Sequence, residues 1–216
     1  MTASVSRHAR FISLEGGEGA GKTTAIHAIR DCLLEQGHEV LLTREPGGTP
    51  LAERIRGLLL DHGDTEAPAP ETELLLVFAA RAQHVRQVIL PALQRGAYVI
   101  SDRFTDSSYA YQGAGRGLPQ PWIAALEQHA VGIEPGLTLL LDLDVRIGRA
   151  RAGGRGEGAD RIESEQDEFF EKVREGFRAR AAAAPDRFAV IDASLTPQQV
   201  AEAVRVAVTD FAAGRR

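Results

Sequence analysis

Residues 15–24, EGGEGAGKTT, constrain this chain more than any other stretch. Within them Gly16-Gly17-Glu18-Gly19-Ala20-Gly21-Lys22-Thr23 satisfies G-x-x-x-x-G-K-[ST] at every fixed position. The run before it, Phe11-Ile12-Ser13-Leu14, reads as a buried strand, and Thr23 to Gln36 carries helical spacing. Strand, glycine loop and helix in that order turn several backbone N–H groups inward, and the helix N-terminus adds a partial positive charge. Lys22 can then reach the outer phosphates of a nucleotide, and the Thr23 hydroxyl is suited to ligate Mg²⁺. The candidate phosphate-binding set is therefore the loop Gly16 to Gly21 with Lys22, Thr23 and Thr24.

The rest of the chain repeats the strand–helix alternation. Strands are predicted at His38–Thr43, Ala97–Ser101, Leu137–Leu143 and Phe188–Asp192, with helical patterns between them. The longest helical stretch, Glu71–Gln94, is expected to bend or end at Pro91. Five short strands alternating with helices imply an α/β fold with parallel pairing and right-handed crossovers. Ligands of such sheets gather beyond the strand carboxyl ends, where Arg44, Asp102-Arg103 and Asp142 also fall. No internal repeat or boundary divides residues 1–216, so a single domain is expected, with residues 1–9 as a polar tail.

Composition narrows the function. A formal net charge of −5 argues against a general nucleic-acid or anionic-membrane binder. No apolar run reaches membrane-spanning length. Cys32 is the single cysteine, so no disulfide framework exists, and the six histidines lack metal-ligand spacing. A cytoplasmic location is the expectation. A guanine-reading N-K-x-D segment is absent, and Tyr98-Val99-Ile100-Ser101-Asp102 matches a motor ATPase signature imperfectly before running into Arg103. A carboxylate for Mg²⁺ beside an arginine for a second phosphate suits transfer between two nucleotides.

The segments FISLEGGEGAGKTT, LLTREPGGTPLAERIRGLLL, LLLVFAARAQH, SDRFTDSSYAYQGAGRGL, LTLLLDLD and ADRIESE carry a resemblance to bacterial thymidylate kinases, in register and order over about residues 10–210. TREPGGT with DRF-x₄-YAYQG is the most specific part. The resemblance implies a P-loop NTPase three-layer α/β/α fold, a five-stranded parallel sheet and a mobile lid at about residues 149–162. It also implies ATP and dTMP as substrates, Mg²⁺ as cofactor and a homodimer. The chemistry agrees: a monophosphate acceptor is largely dianionic near neutral pH, its second pKa being about 6. It needs charge neutralisation and in-line placement rather than a general base. A dUMP-type kinase, or a nucleotide sensor without transfer, are the alternative readings.

By resemblance Lys22, Arg103, Glu18 and Arg155 are the catalytic candidates, with Arg103 gripping the acceptor phosphate and Glu18 orienting an arginine. Thr23 and Asp102 are the metal candidates. Arg149, Arg151 and Arg161 accompany Arg155 as lid arginines for the triphosphate. Glu45, Arg56, Phe78, Arg81, Ser108, Tyr111 and Gln112 are the acceptor-side candidates. Phe78 either stacks on the base or packs in the core; the family's aromatic often stands at the position of Val77. Glu45 and Arg44 either line the pocket or brace their loop.

Overall fold

The computed structural model describes residues 5–60, 66–153 and 160–215. Its strands are β1 (Ser6–Gly16), β2 (Val40–Arg44), β3 (Tyr98–Asp102), β4 (Ile133–Asp142) and β5 (Phe188–Asp192). They form one parallel sheet in the order β2-β3-β1-β4-β5. The inner strands are covered on both faces, which is why they read as continuous apolar runs rather than alternating ones. On one face Ile12, Leu14 and Leu139 pack with Ile29 and Leu33 of α1 (Lys22–Glu35) and Val204 and Val208 of α9 (Pro197–Ala212). On the other, Phe11 and Val99 meet Phe78 of α3 (Pro70–His84), Ala92 of α4 (Leu90–Gln94) and Ile123 of α6 (Gln120–Leu126). Each fully buried side chain of the Leu, Ile or Phe kind contributes about 1.5–3 kcal/mol over its exposed state. This is the expected α/β/α sandwich.

The N-terminal segment differs from expectation. From Ser6 onward it is strand, not tail, and Ser6–His8 pair with Ile133–Pro135 of β4. Arg7 bonds Glu134 and Asp186. These residues extend beyond the part of β1 that pairs with β3, with their side chains largely exposed, so no apolar pattern marked them.

Pro91 does not end the long helix. Between α3 and α4 the chain makes one widened turn, Val85–Ile89, in which the Leu90 N–H bonds the Val85 carbonyl. That i→i+5 turn absorbs the proline, which sits in the first turn of α4 and lacks an N–H. A similar widened stretch, Tyr109–Gly115, continues α5 (Thr105–Ser108). The remaining helices near the site are α2 (Pro50–Leu60), α7 (Val145–Gly153) and α8 (Asp167–Ala183).

Candidate active site

The loop between β1 and α1 has Gly19 and Gly21 in the left-handed region, at φ +68° and +87°. A Cβ on Gly19 would lie 2.1 Å from the Gly148 carbonyl oxygen, so the loop rests directly on the backbone of α7. Gly148 is the matching requirement on the other side: its own Cβ would meet the Glu18 carbonyl at 2.3 Å. Lys22 folds back over the loop, its Nζ donating to Gly16 O (3.1 Å) and Gly17 O (2.9 Å). Burial lowers the Lys22 pKa to about 8, with the nearby Arg103 acting the same way and Glu18 and Asp102 opposing.

The crevice beside this loop is walled by Glu18 and Ala20 to Thr23, by Glu45 and Pro46 after β2, and by Arg56 of α2. Val77 and Arg81 of α3, Asp102 and Arg103 at the end of β3, and Ser107, Ser108, Tyr111 and Gln112 continue it, and Leu59, Leu60, Asp160, Ile162 and Glu163 also line it. Sequence reasoning therefore placed most of its candidates on one cavity. Thr24 follows Thr23 on α1 with its side chain exposed, while Gly16 and Gly17 border a smaller hollow that Asp142 and Arg149 also line.

Arg103 is the non-glycine residue with positive φ (+71°) among the described residues. Its Nη1 donates to Gly16 O (3.1 Å) and Ser107 Oγ (3.3 Å), and its Nη2 to Glu18 Oε1 (3.2 Å). Glu18 thus meets an arginine, as expected for a carboxylate in a phosphate site. Asp102 lines the same wall, and its buried Oδ1 has no hydrogen-bond partner among the described residues. A Mg²⁺ that shares phosphate oxygens needs only one or two protein groups, so Thr23 and the unpartnered Asp102 oxygen fit such an ion. Among the described residues no cluster of three or more His, Cys, Asp or Glu side chains could hold a metal without the phosphates.

Elsewhere on the crevice wall Arg81 is buried over the rings of Phe78 and Phe104. Its Nε donates to Glu45 Oε2 (2.6 Å), Nη1 to Ser108 Oγ (2.9 Å) and Nη2 to Phe104 O (3.0 Å). A guanidinium has five N–H groups, so both Nη atoms retain one for a ligand among the described residues. Glu45 is also held by His84 Nδ1 (3.0 Å), whose Nε2 lies 2.6 Å from Thr43 Oγ1. Glu45 thus braces Arg81 and its loop while lining the crevice. Arg56 donates to Pro46 O (3.0 Å), and burial followed by the neighbouring Arg44 lowers its pKa, a cost that an anion would relieve. Arg44 itself pairs outward with Glu53. Ser108 and Gln112 are buried at the wall, Gln112 donating to Glu73 Oε1 (2.9 Å). Tyr111 Oη is buried without a partner among the described residues, and Arg103 sits 5.0 Å from its ring centroid.

One open alternative, that for Phe78, falls to core packing, and two expectations, for Arg161 and Arg151, need correction. Phe78 is not a crevice residue: it packs under Arg81 in the core, and Val77 takes the cavity wall one position earlier. Arg161 does not face the loop, because its Nη2 binds Glu73 (2.7 Å) and its Nε the Leu59 carbonyl (2.8 Å). Arg151 turns to Ala193 O (2.9 Å), behind α7. Arg149 borders the hollow at Gly16 and Gly17 while bonding Glu165 O (2.6 Å) and Asp167 (2.9 Å). Arg155 lies outside the described residues, as do the other lid residues 154 and 156–159.

Glu15 and Ser107 were missed. Glu15 ends the apolar strand, is fully buried, and accepts from Phe104 N–H (2.7 Å) and Ser107 Oγ (2.6 Å). Burial, then the nearby Asp106, pushes its pKa up to about 8. A carboxylate within a strand covered on both faces was the available signal.

Fold and site together define a nucleotide-binding protein of the P-loop class, with Arg56, Arg81 and Arg103 lining the crevice beside its phosphate loop. A family model described as thymidylate kinase matches residues 14–204. The chain belongs to the thymidylate kinase family and is a kinase, an enzyme of the transferase class. It is 54% identical over 211 residues to a thymidylate kinase of Alkalilimnicola ehrlichii, covering 95% of this chain and 96% of that one. A thymidylate kinase of Pseudomonas fluorescens strain Pf-5 is 58% identical over 195 residues, covering 90% and 92%. One from Halorhodospira halophila is 54% identical over 203 residues, covering 93% and 94%.

Proposed function

We propose that this protein transfers the γ-phosphoryl group of ATP to dTMP, giving ADP and dTDP, with Mg²⁺ and as a cytoplasmic homodimer in thymidine-nucleotide synthesis. The observation that carries the reading is the Gly16 carbonyl, which accepts from both Lys22 Nζ and Arg103 Nη1. One cation belongs to the phosphate loop and the other to the end of β3, so two anionic chains drawn to them would meet there. In this reading the loop amides and Lys22 hold the triphosphate, and Arg103, kept in place by Glu18, grips the dTMP phosphate. Guanidinium suits that grip because its fork matches phosphate oxygens.

Arg81 and Ser108 present hydrogen-bonding groups to the base, with Val77 as the apolar wall beside them. Tyr111 and Gln112 close the sugar side, and Arg56 adds charge near the acceptor phosphate. Thr23 and Asp102 would hold Mg²⁺, which when bound supplies positive charge to the phosphate oxygens. No side chain needs to remove a proton, because the attacking oxygen belongs to a group already largely ionised near pH 7. The work left to the chain is alignment and charge placement. Arg155 is assigned to the triphosphate from its place in the sequence. Exposed Leu51, Leu58, Leu75 and Trp122 on α2, α3 and α6 support pairing through these helices. Light scattering at twice the chain mass is the expected result, and a single-chain mass would count against it.

The functional test is ADP release in a coupled assay with dTMP, dUMP, CMP and AMP offered in turn. Release is expected with dTMP foremost, and equal release in the absence of any acceptor would contradict transfer.

A further inference from the structure

Arg103 occupies the left-handed backbone region, which is strained for a residue with a side chain. Something must hold it there. The Arg103 N–H is tied to Leu14 O (2.9 Å), and its carbonyl accepts from Ser101 Oγ (2.7 Å). The next N–H, that of Phe104, ends on Glu15 Oε1. The second oxygen of Glu15 meets Ser107 Oγ, and the same Ser107 oxygen accepts from Arg103 Nη1. Glu15 therefore grips both the backbone just past Arg103 and, through one hydroxyl, its guanidinium. It also directly precedes Gly16, whose carbonyl both Lys22 and Arg103 contact.

We propose that Glu15 is a positioning residue that sets Arg103 for the acceptor phosphate through the Phe104 N–H and Ser107. It touches neither nucleotide. Its fully buried place on β1, bonded to the start of α5, makes it a rigid spacer between the phosphate loop and Arg103. Both of its contacts survive a change of ionisation: Oε1 accepts from the amide in either state, and the Ser107 bond only reverses its donor. The inference rests on the proposed role of Arg103, and its test separates the two.

Calorimetric affinities for dTMP and for an unreactive ATP analogue are measured in four proteins: wild type, Glu15→Ala, Arg103→Ala and the double variant. Glu15→Ala is expected to weaken dTMP about 10–100-fold, as displacing a positioned group does, with less than about threefold change for the analogue. In the Arg103→Ala background the same substitution should change dTMP affinity less than about threefold, since coupled residues fail to add. An equal loss with and without Arg103, or equal loss of both nucleotides, overturns the inference alone. If Arg103→Ala leaves dTMP affinity unchanged, the acceptor reading of Arg103 falls and the inference with it. If Glu15→Ala does not fold, Ser107→Ala replaces it in the cycle. About a 3–10-fold dTMP loss is then expected, vanishing without Arg103, because the Ser107 bonds to Arg103 and Glu15 are lost while Phe104 N–H stays on Glu15; persistence of that loss overturns the inference.

Discussion

Lys22 bends onto two carbonyls of its own loop, and the charge it carries there is easily lost. Its pKa of about 8 comes first from burial and then from Arg103. A triphosphate arriving on the loop brings negative charge, which favours the ammonium form. Near pH 8 the free protein holds about half a proton on Lys22, so nucleotide binding should take up part of the remainder. Calorimetry of ATP-analogue binding in buffers of different ionisation enthalpy measures that uptake. The expected result at pH 8 is an uptake of several tenths of a proton in wild type that falls in Lys22→Met; equal uptake in both would contradict it. In stability the sign runs the same way. The folded pKa lies below the unfolded value of 10.5, so the unfolded chain binds more protons between about 8 and 10.5 and stability from this group rises with pH there. Glu15 acts oppositely in a lower window, because its folded value near 8 exceeds its unfolded 4.5 and its contribution falls as pH climbs between them.

At the scale of elements, α5 carries Ser107 and Ser108 to the crevice wall, and a buried ion cluster anchors it. Asp106 is fully buried and accepts from Arg180 of α8 (2.9 Å) and from both Nη atoms of Arg187, just before β5 (2.7 and 2.9 Å). Burial alone would raise the Asp106 pKa, but Arg187 and Arg180 hold it below the usual value. Breaking such a cluster by removing one charge leaves the others unpaired in the interior, at a cost of about 3–5 kcal/mol. Asp106→Asn should therefore lower the urea midpoint at constant slope by that equivalent, and a loss under about 1 kcal/mol would contradict the anchoring role. None of this was legible in the sequence, where Asp106 stood as one polar residue in TDSS. The phosphate loop was legible because its glycines, lysine and threonine are needed at fixed spacing by local backbone geometry. The strands were legible because burial on both faces writes apolar runs. Phe78 and Val77 could not be told apart by spacing alone, since a helix turns about 100° per residue and the cavity edge falls between them. Arg151 and Arg161 were misread because arginine content near a glycine run says nothing of which carbonyl or carboxylate each guanidinium finds.

Across the whole molecule, a chain of net charge −5 gathers Lys22, Arg56, Arg81 and Arg103 around one crevice. The sheet makes this possible: β1, β2 and β3 all end on the same side, so the phosphate loop, the Glu45 loop and the Asp102-Arg103 turn converge without any of them being long. Among the described residues no helix is long and apolar enough to cross a membrane. Exposed Leu51, Leu58 and Leu75 lie on α2 and α3, elements that also wall the crevice.

The most direct test of two nucleotides meeting over the Gly16 carbonyl is a crystal structure with dTMP, an unreactive ATP analogue and Mg²⁺ bound together. The account predicts the dTMP phosphate on Arg103, the analogue's terminal phosphate on Lys22 and the loop amides, and a dTMP oxygen in line with that phosphate. A dTMP phosphate seated away from Arg103, or an analogue phosphate chain away from Lys22, would contradict it.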